Sequence, residues 1–390
     1  MKNLLKVTSL SLAALLLASC AGTSEADSEI GTVDANEQHP EFADMSHDEL
    51  VEAAEKEGEV VVYAFTSRIA TVAEEFGAAY PQIDIVAHDI SSSEQIERLR
   101  SEHDAGAETA DVAYVSDAPV VWNELLSDGV LQRYVPERVE DELDDQYKDP
   151  LLTNRLSTKV LMYNEEANPD GAPVENLWEL TEDKWASKVV MVDPTQRGDY
   201  LELLTEMVLR ADEMAASYEE HFGEPIELDE GNENAGYQYI ADLYANDVIL
   251  LSSTDDVNEA VGATGQEDAP VGFTSYSDRR DNAEEGWALQ VADEAAPGPG
   301  IIFPAMLGIT AEAENQAAAR LLIDFMMGDD SENGGPAYEP FYVAGDYPTR
   351  NDIVDPEDAL PREEFPAWEI TPEDSAGLRD DVNDFILTVE

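Results

Sequence analysis

Cysteine is nearly absent: Cys20 is the only one in 390 residues, so no disulfide can form within the chain. Positive charge is almost as scarce. Lysine and arginine total 21 against 87 aspartates and glutamates, a formal net charge of −66 at pH 7, and such a surface repels phosphate, which argues against nucleic-acid binding. The acids nowhere take the Asp-x-Asp-x-Asp-Gly spacing of a calcium loop. They read instead as a solvated surface suited to salt, where the Debye length falls to about 3 Å near 1 M. Beyond residue 20 no apolar stretch approaches about 18 residues, the least that spans a bilayer. Catalytic signatures are missing too. His39, His47, His88, His103 and His221 are scattered, with no His-Glu-x-x-His, no Gly-x-Ser-x-Gly and no glycine-rich phosphate loop. Adjacent acids such as Asp255-Asp256 arise by chance at this composition, so a secreted hydrolase is only a remote alternative to a protein without chemistry of its own.

What the chain does have begins at its start. Lys2 and Lys6 precede the apolar run Leu10 to Leu17, which ends in Leu17-Ala18-Ser19-Cys20-Ala21. A basic start, a short apolar core and small residues predict a secretory signal. The stretch resembles a bacterial lipoprotein signal over residues 1–20, which implies a lipidated Cys20 as the new N-terminus. Residues 21–45, acidic and poor in aliphatics, read as a flexible tether. Anchorage is then through lipid alone, on the outer face of a membrane.

Organisation centres on Val60-Val61-Val62-Tyr63-Ala64-Phe65-Thr66-Ser67-Arg68, where a β-branched run stops at a small polar pair before an Ala/Glu-rich helical stretch, Ile69 to Ala79. This is strand, tight turn, helix, with the turn's backbone N–H groups facing outward at a helix N-terminus, a favoured place for an anion. Ser46 with Glu49 forms a capping box ahead of it. The same grammar repeats: Ile83 to Ala87 runs into Ser91-Ser92-Ser93, and Asp111 to Val115 into Ser116-Asp117. It continues with Lys188 to Val192 into Thr195-Gln196-Arg197, Val248 to Leu251 into Ser252-Ser253-Thr254, and Val271 to Phe273 into Thr274-Ser275-Tyr276-Ser277. Alternating strands and helices predict an α/β fold with parallel, doubly wound sheets and all the turns along their carboxyl edges. A long helix is expected from Asp199 to about Tyr218, and another over Ala311 to Met327.

Several stretches resemble the extracellular solute-binding proteins of ABC importers, of the ferric-iron type. They are Glu57-Gly58-Glu59-Val60-Val61-Val62-Tyr63, Ala110-Asp111-Val112-Ala113, Val160-Leu161-Met162-Tyr163-Asn164, Trp178-Glu179-Leu180 with Lys184 to Val189, Asp193-Pro194, Asn315 to Met327, and Tyr347-Pro348-Thr349-Arg350. The resemblance covers about residues 55–350 and implies a two-lobed periplasmic-binding-protein fold, each lobe a mixed sheet flanked by helices, joined by strand crossovers. It implies a first lobe of residues 46–157 plus about 286–328, and a second of 158–285 plus about 329–390. One crossover would be Lys159 to Asn164, and the return would fall near Gly286. It also implies a solute between the lobes, hinge closure, and delivery to an ABC permease with its ATPase. A receptor-presenting sensor would share the same sequence features.

The candidate ligand residues are those of the turns: Thr66, Ser67, Arg68, Ser92, Ser93, Ser116 and Asp117 from the first lobe, and Thr195, Arg197, Ser253, Thr254, Ser275 and Tyr276 from the second. Arg68, Arg155, Arg197, Arg279 and Arg280 lie in or beside these turns, and arginine's planar fork suits carboxylate or phosphate. Tyr63 and Phe65 serve equally as stacking faces or as core. The expected solute is therefore a small anion such as a phosphorylated sugar, a phosphonate or a carboxylate. Ferric iron as the transported ligand is the alternative. Ferric-binding members use two adjacent tyrosines at the position of Tyr276-Ser277, often with a histidine near Ser67 or Arg68. Only Tyr276 is present here, and Fe(III) prefers anionic oxygen ligands. No other cofactor is expected.

Overall fold

The computed structural model describes residues 32–107 and 109–389. The signal, Cys20 and the tether up to residue 31 lie outside the described residues. Among the described residues no helix is long and apolar enough to cross a membrane.

Among the described residues thirteen strands join one sheet. Leading from the N-terminus, β1 (Val33–Asp34), β2 (Glu59–Ala64), β3 (Asp84–Asp89), β4 (Val112–Val115) and β5 (Leu131–Arg133) build the first half, with helices α1 (His47–Glu57), α2 (Ile69–Ala79) and α3 (Ser92–Ala105). The long strand β6 (Leu152–Asn164) crosses into a second half made of β7 (Val189–Val192), β8 (Ile249–Leu251), β9 (Val271–Thr274) and β10 (Leu289–Val291), with helices α4 (Gly198–Leu209), α5 (Ala211–Phe222), α6 (Ala235–Ala245) and α7 (Thr254–Gly262). Strand β11 (Gly300–Thr310) returns, followed by α8 (Gln316–Met326), β12 (Tyr347–Pro348), β13 (Trp368–Glu369) and a terminal helix α9 (Arg379–Val389).

The order along the sheet is β3-β2-β4-β11-β6-β9-β7-β8. β2 lies parallel between β3 and β4, and β7 lies parallel between β8 and β9. Each half thus has its own topological switch point, where an open α/β sheet forms a crevice at its strand ends. The antiparallel pair β6–β11 joins them, with Val160 to Met162 of β6 on β9 and Met306 to Ile309 of β11 on β4. Doubly wound α/β halves are what the alternation predicts, and strand crossovers between them are what the resemblance implies.

Local rules explain most boundaries. Ser46 caps α1 through the expected box with Glu49, and Gly58 ends it at φ +79, a left-handed turn that favours glycine. β2 and β4 are buried on both faces, as parallel strands under helices must be.

Three expectations need correction. The return crossover is β11, not the neighbourhood of Gly286. That glycine closes the short helix Asn282–Glu285 at φ +70, and the apolar residues after it, β10, still pair with Met162 to Asn164. The crossing is pinned at Gly300, where a Cβ would lie 2.1 Å from the Lys159 carbonyl oxygen, so the backbones come this close there only with glycine. Second, part of the tether is structured. From residue 33 the chain pairs with β5, and Ala35 is buried with its carbonyl accepting from Arg320 at 2.8 Å. Third, the helix expected from Asp199 to Tyr218 breaks at Arg210 (φ −94, ψ 34), whose guanidinium bonds Glu206, Glu213 and the Glu369 carbonyl.

The tail does not belong to one half. β12 pairs with Leu156 and Arg155, and β13 with Ile301 and Ile302. The short helix Pro372–Ala376 touches both Ala118–Val120 and α4, and α9 packs on α4 and α6. The tail is therefore a strap across the seam.

Candidate functional site

The turns of the two halves meet along that seam, and two buried clusters of charge occupy it. In the first, Asp346 has a side chain with no exposure and accepts from Arg155 Nη1 at 2.7 Å and from Ser157 Oγ at 2.9 Å. Arg68 Nη1 also donates to Asp346, and its Nη2 donates to Ser277 Oγ at 2.8 Å. Arg68 follows β2 and Ser277 follows β9, so this bond ties one half to the other. Arg155 lies over the rings of Phe341 (5.0 Å) and Phe65 (5.7 Å), which shield it as cation–π partners. Burial pushes the Asp346 carboxyl up, but Arg155 and Arg68 outweigh it and hold the group below its ordinary range.

The second cluster sits on the crossover and the first turn of α4. Lys159, 1 % exposed, places Nζ 3.0 Å from Asp199 Oδ2, donates to Ser275 Oγ at 3.2 Å, and stands 4.4 Å over the Tyr200 ring. Arg197 Nη2 reaches the same Asp199 oxygen at 3.4 Å. Burial opposes ionisation of Asp199, yet Arg197 and Lys159 drive its carboxyl well below the usual range. Asp199 Oδ1 and the Nε groups of Arg197 and Arg279 are buried without hydrogen-bond partners.

In each cluster two cations face one carboxylate: Arg68 and Arg155 share Asp346, and Lys159 and Arg197 share Asp199. Arg280 pairs with both Asp278 and Asp281. In a chain of net charge −66, a buried cationic surplus is the feature that needs a function.

Of the residues expected at the site, the structure brings Arg68, Arg197, Ser275 and Tyr276 to the seam. Tyr276 is buried, and its hydroxyl accepts from Arg279 Nη1 at 3.2 Å. Others serve local bonds. Ser92 Oγ and Ser116 Oγ bond one another at 2.6 Å. Thr195 Oγ1 donates to Asp193 at 2.7 Å, and Ser253 caps α7 by accepting from Asp256 N at 3.1 Å. Thr66 Oγ1 accepts from the Arg68 backbone at 3.4 Å. Ser67 and Ser93 are exposed, and Thr254 is half-buried at the first position of α7. Asp117 is at the seam but already engaged: Arg379 of α9 donates to it at 2.8 Å and to Glu202 of α4 at 3.2 Å. Reasoning from the turns missed Asp346, Asp199, Lys159 and Arg379. Only Lys159 carried a signal, as a lysine leading the apolar run Val160 to Tyr163.

Among the described residues no group of three or more His, Cys, Asp or Glu is spaced to hold a metal ion.

Solved structures share this architecture. Iron-bound HitA from Pseudomonas aeruginosa superposes with a TM-score of 0.65 at 17% identity, over 84% of this chain and 99% of that one. AfuA from Actinobacillus pleuropneumoniae, with fructose-6-phosphate bound, gives 0.62 at 15%, over 85% and 97%. AgtB from Agrobacterium tumefaciens R10, in complex with agropinic acid, gives 0.62 at 13%, over 85% and 98%. At such identities the likeness is one of fold. No curated protein matches the sequence. The family model for bacterial extracellular solute-binding proteins matches residues 62–333, well over half of the chain. With two switch-point crevices facing each other across paired crossover strands, this chain belongs to the bacterial extracellular solute-binding protein family.

Proposed function

We propose that the protein captures a small anionic solute, a phosphorylated sugar, a phosphonate or a carboxylate, between its halves and delivers it to an ABC permease driven by its ATPase. It works exported, on the periplasmic or extracellular face, held to the membrane through lipid on Cys20, and performs no chemistry. The observation that carries this reading is the pair of buried clusters in which two cations share one carboxylate, Arg68 and Arg155 on Asp346 and Lys159 and Arg197 on Asp199. Buried charge without a counter-charge is costly, and an anion bound there removes the cost. Because the first cluster is built from both halves, through Arg68 and Ser277, the anion stabilises the closed arrangement more than an open one. That differential affinity is what lets a solute signal its presence to a permease.

Structural neighbours of this fold bind iron, fructose-6-phosphate or agropinic acid, so the fold leaves the choice to the residues. Fe(III) would want several anionic oxygens, whereas here Tyr276 lies under a guanidinium and Ser277 follows it.

Native mass spectrometry of the chain without residues 1–20, purified gently in high salt, tests the reading. The expected result is the added mass of a small organic acid or phosphate, lost on Arg197→Ala. A ferric mass with a visible tyrosinate band, lost on Tyr276→Phe, would overturn it in favour of iron.

A further inference from the structure

We infer that the solute carries a hydrogen-bond donor, a hydroxyl or an ammonium, beside its anionic group, and that Asp199 is the residue selecting it. This rests on the anion reading above and narrows it. The first turn of α4 presents two buried polar atoms of opposite kind two residues apart, Arg197 Nε as donor and Asp199 Oδ1 as acceptor, neither with a partner. The turn faces the other half. A Cβ on Gly198, between them, would lie 2.0 Å from Asp117 Oδ2.

Asp199 is 8% exposed. Its second oxygen is taken by Lys159 at 3.0 Å and Arg197 at 3.4 Å, which keeps the carboxylate ionised, as its depressed pKa also indicates. An ionised, buried oxygen with no donor is rare in native proteins. It is most easily completed by the ligand, since Lys159 and Arg197 already bond its neighbour. A carboxylate in a site meant for an anion also repels any solute that offers only acceptors. The complement of this turn is therefore an acceptor for Arg197 and Lys159 with a donor close to it. Hydroxy acids, amino acids and sugar phosphates have that arrangement. Sulfate, simple fatty acids and alkyl phosphates do not, so Asp199 acts as a filter against them.

Matched pairs of probes test this on the full chain in high salt by titration calorimetry: lactate against propionate, alanine against propionate, glycerol 3-phosphate against propyl phosphate. At least one donor-bearing member should bind roughly ten- to a hundred-fold more tightly than its partner, the size of one charge-assisted hydrogen bond. In Asp199→Asn that ratio should fall toward one while the donor-free member gains affinity. Because the pairwise ratio is read on the unaltered protein, a misfolded variant does not hide the answer. Equal affinities within every pair would overturn the role of Asp199 and leave the anion reading standing. Failure of every probe, with a ferric ion bound instead, would overturn both.

Discussion

Glu202 makes the stability of this fold depend on pH in a direction unusual for an acid-rich protein. It sits on α4 with 2% of its side chain exposed, accepting from Ser375 Oγ and from Arg379 Nη1 at 3.2 Å. Burial pushes its pKa from the ordinary 4.5 up to about 8. Ser375 and Arg379 pull it back, while Asp117 and Glu206 add to the rise. The sign follows from proton counting. Between the two values the folded chain keeps a proton that the unfolded chain has lost, so the free energy of unfolding falls as pH rises. The contribution is complete below about 4.5 and gone above about 8. Each pH unit in the window is worth about 1.4 kcal/mol, so from pH 5 to pH 8 the loss is roughly 4 kcal/mol, a large part of a domain's net stability.

Glu202→Gln removes this titration at the same side-chain length, with an amide oxygen that still accepts from Arg379 and an amide N–H in place of the oxygen that accepts from Ser375. Urea unfolding at fixed high salt, followed by tryptophan fluorescence, should give near-equal stabilities at pH 5 and a variant more stable by about 4 kcal/mol at pH 8. Asp117 and Glu206, also pushed up by burial, titrate in both proteins, so the difference curve reports Glu202 together with its coupling to them. Parallel curves would refute the reasoning. They would mean that Glu202 is ionised in the fold with Arg379 as its counter-ion, and the glutamine variant would then be the weaker protein throughout.

Two further outcomes follow from the seam. Asp346→Asn leaves Arg68 and Arg155 buried without their carboxylate, and thermal unfolding should show a loss of about 3–5 kcal/mol; a change below about 1 kcal/mol would mean that the arginines find other acceptors. Gly198→Ala puts a methyl 2.0 Å from Asp117 Oδ2 and 3.1 Å from Arg379 Nη2 across the seam. Small-angle scattering should then show a larger radius of gyration than the unaltered chain, and superimposable curves would show that Asp117 simply moves aside.

Much of this fold was legible because its determinants are local. β-Branched runs, Ser46 with Glu49 and a left-handed Gly58 fix β2 and α1 within a dozen residues of sequence. The seam was only half legible. Hydroxyl-rich turns lie near its edge, but much of their bonding capacity is spent at home. Ser91 caps α3, Ser92 bonds Ser116, and Thr195 closes a turn on Asp193. The acids that organise the arginines come from far away in the chain. Asp346 is 278 residues from Arg68, and Arg379 is 262 from Asp117. In a chain with 87 acids, no single aspartate stands out, so its partner is visible only once the tail has folded across the seam. Gly286 misled for a related reason: a glycine marks a turn, and only the pairing of the following strand tells which half it serves.

For the anionic solute proposed above, the acidic surface and the cationic seam impose opposite demands. At a distance the solute meets a field set by a net charge of −66, which slows its approach in dilute buffer. Salt removes that barrier, because exposed charges are screened beyond about 3 Å near 1 M. The same salt does much less to Arg155 and Lys159, at 2% and 1% exposure, since pairs excluded from solvent are screened little. Concentrated salt therefore suppresses the repulsion while sparing the attraction. Placing the cations in the fold's interior, neutralised in part by Asp346 and Asp199, also keeps them from being taken by the abundant surface carboxylates. A solvent-exposed arginine patch would be lost to both competitors, the acids of the chain itself and the anions of the medium.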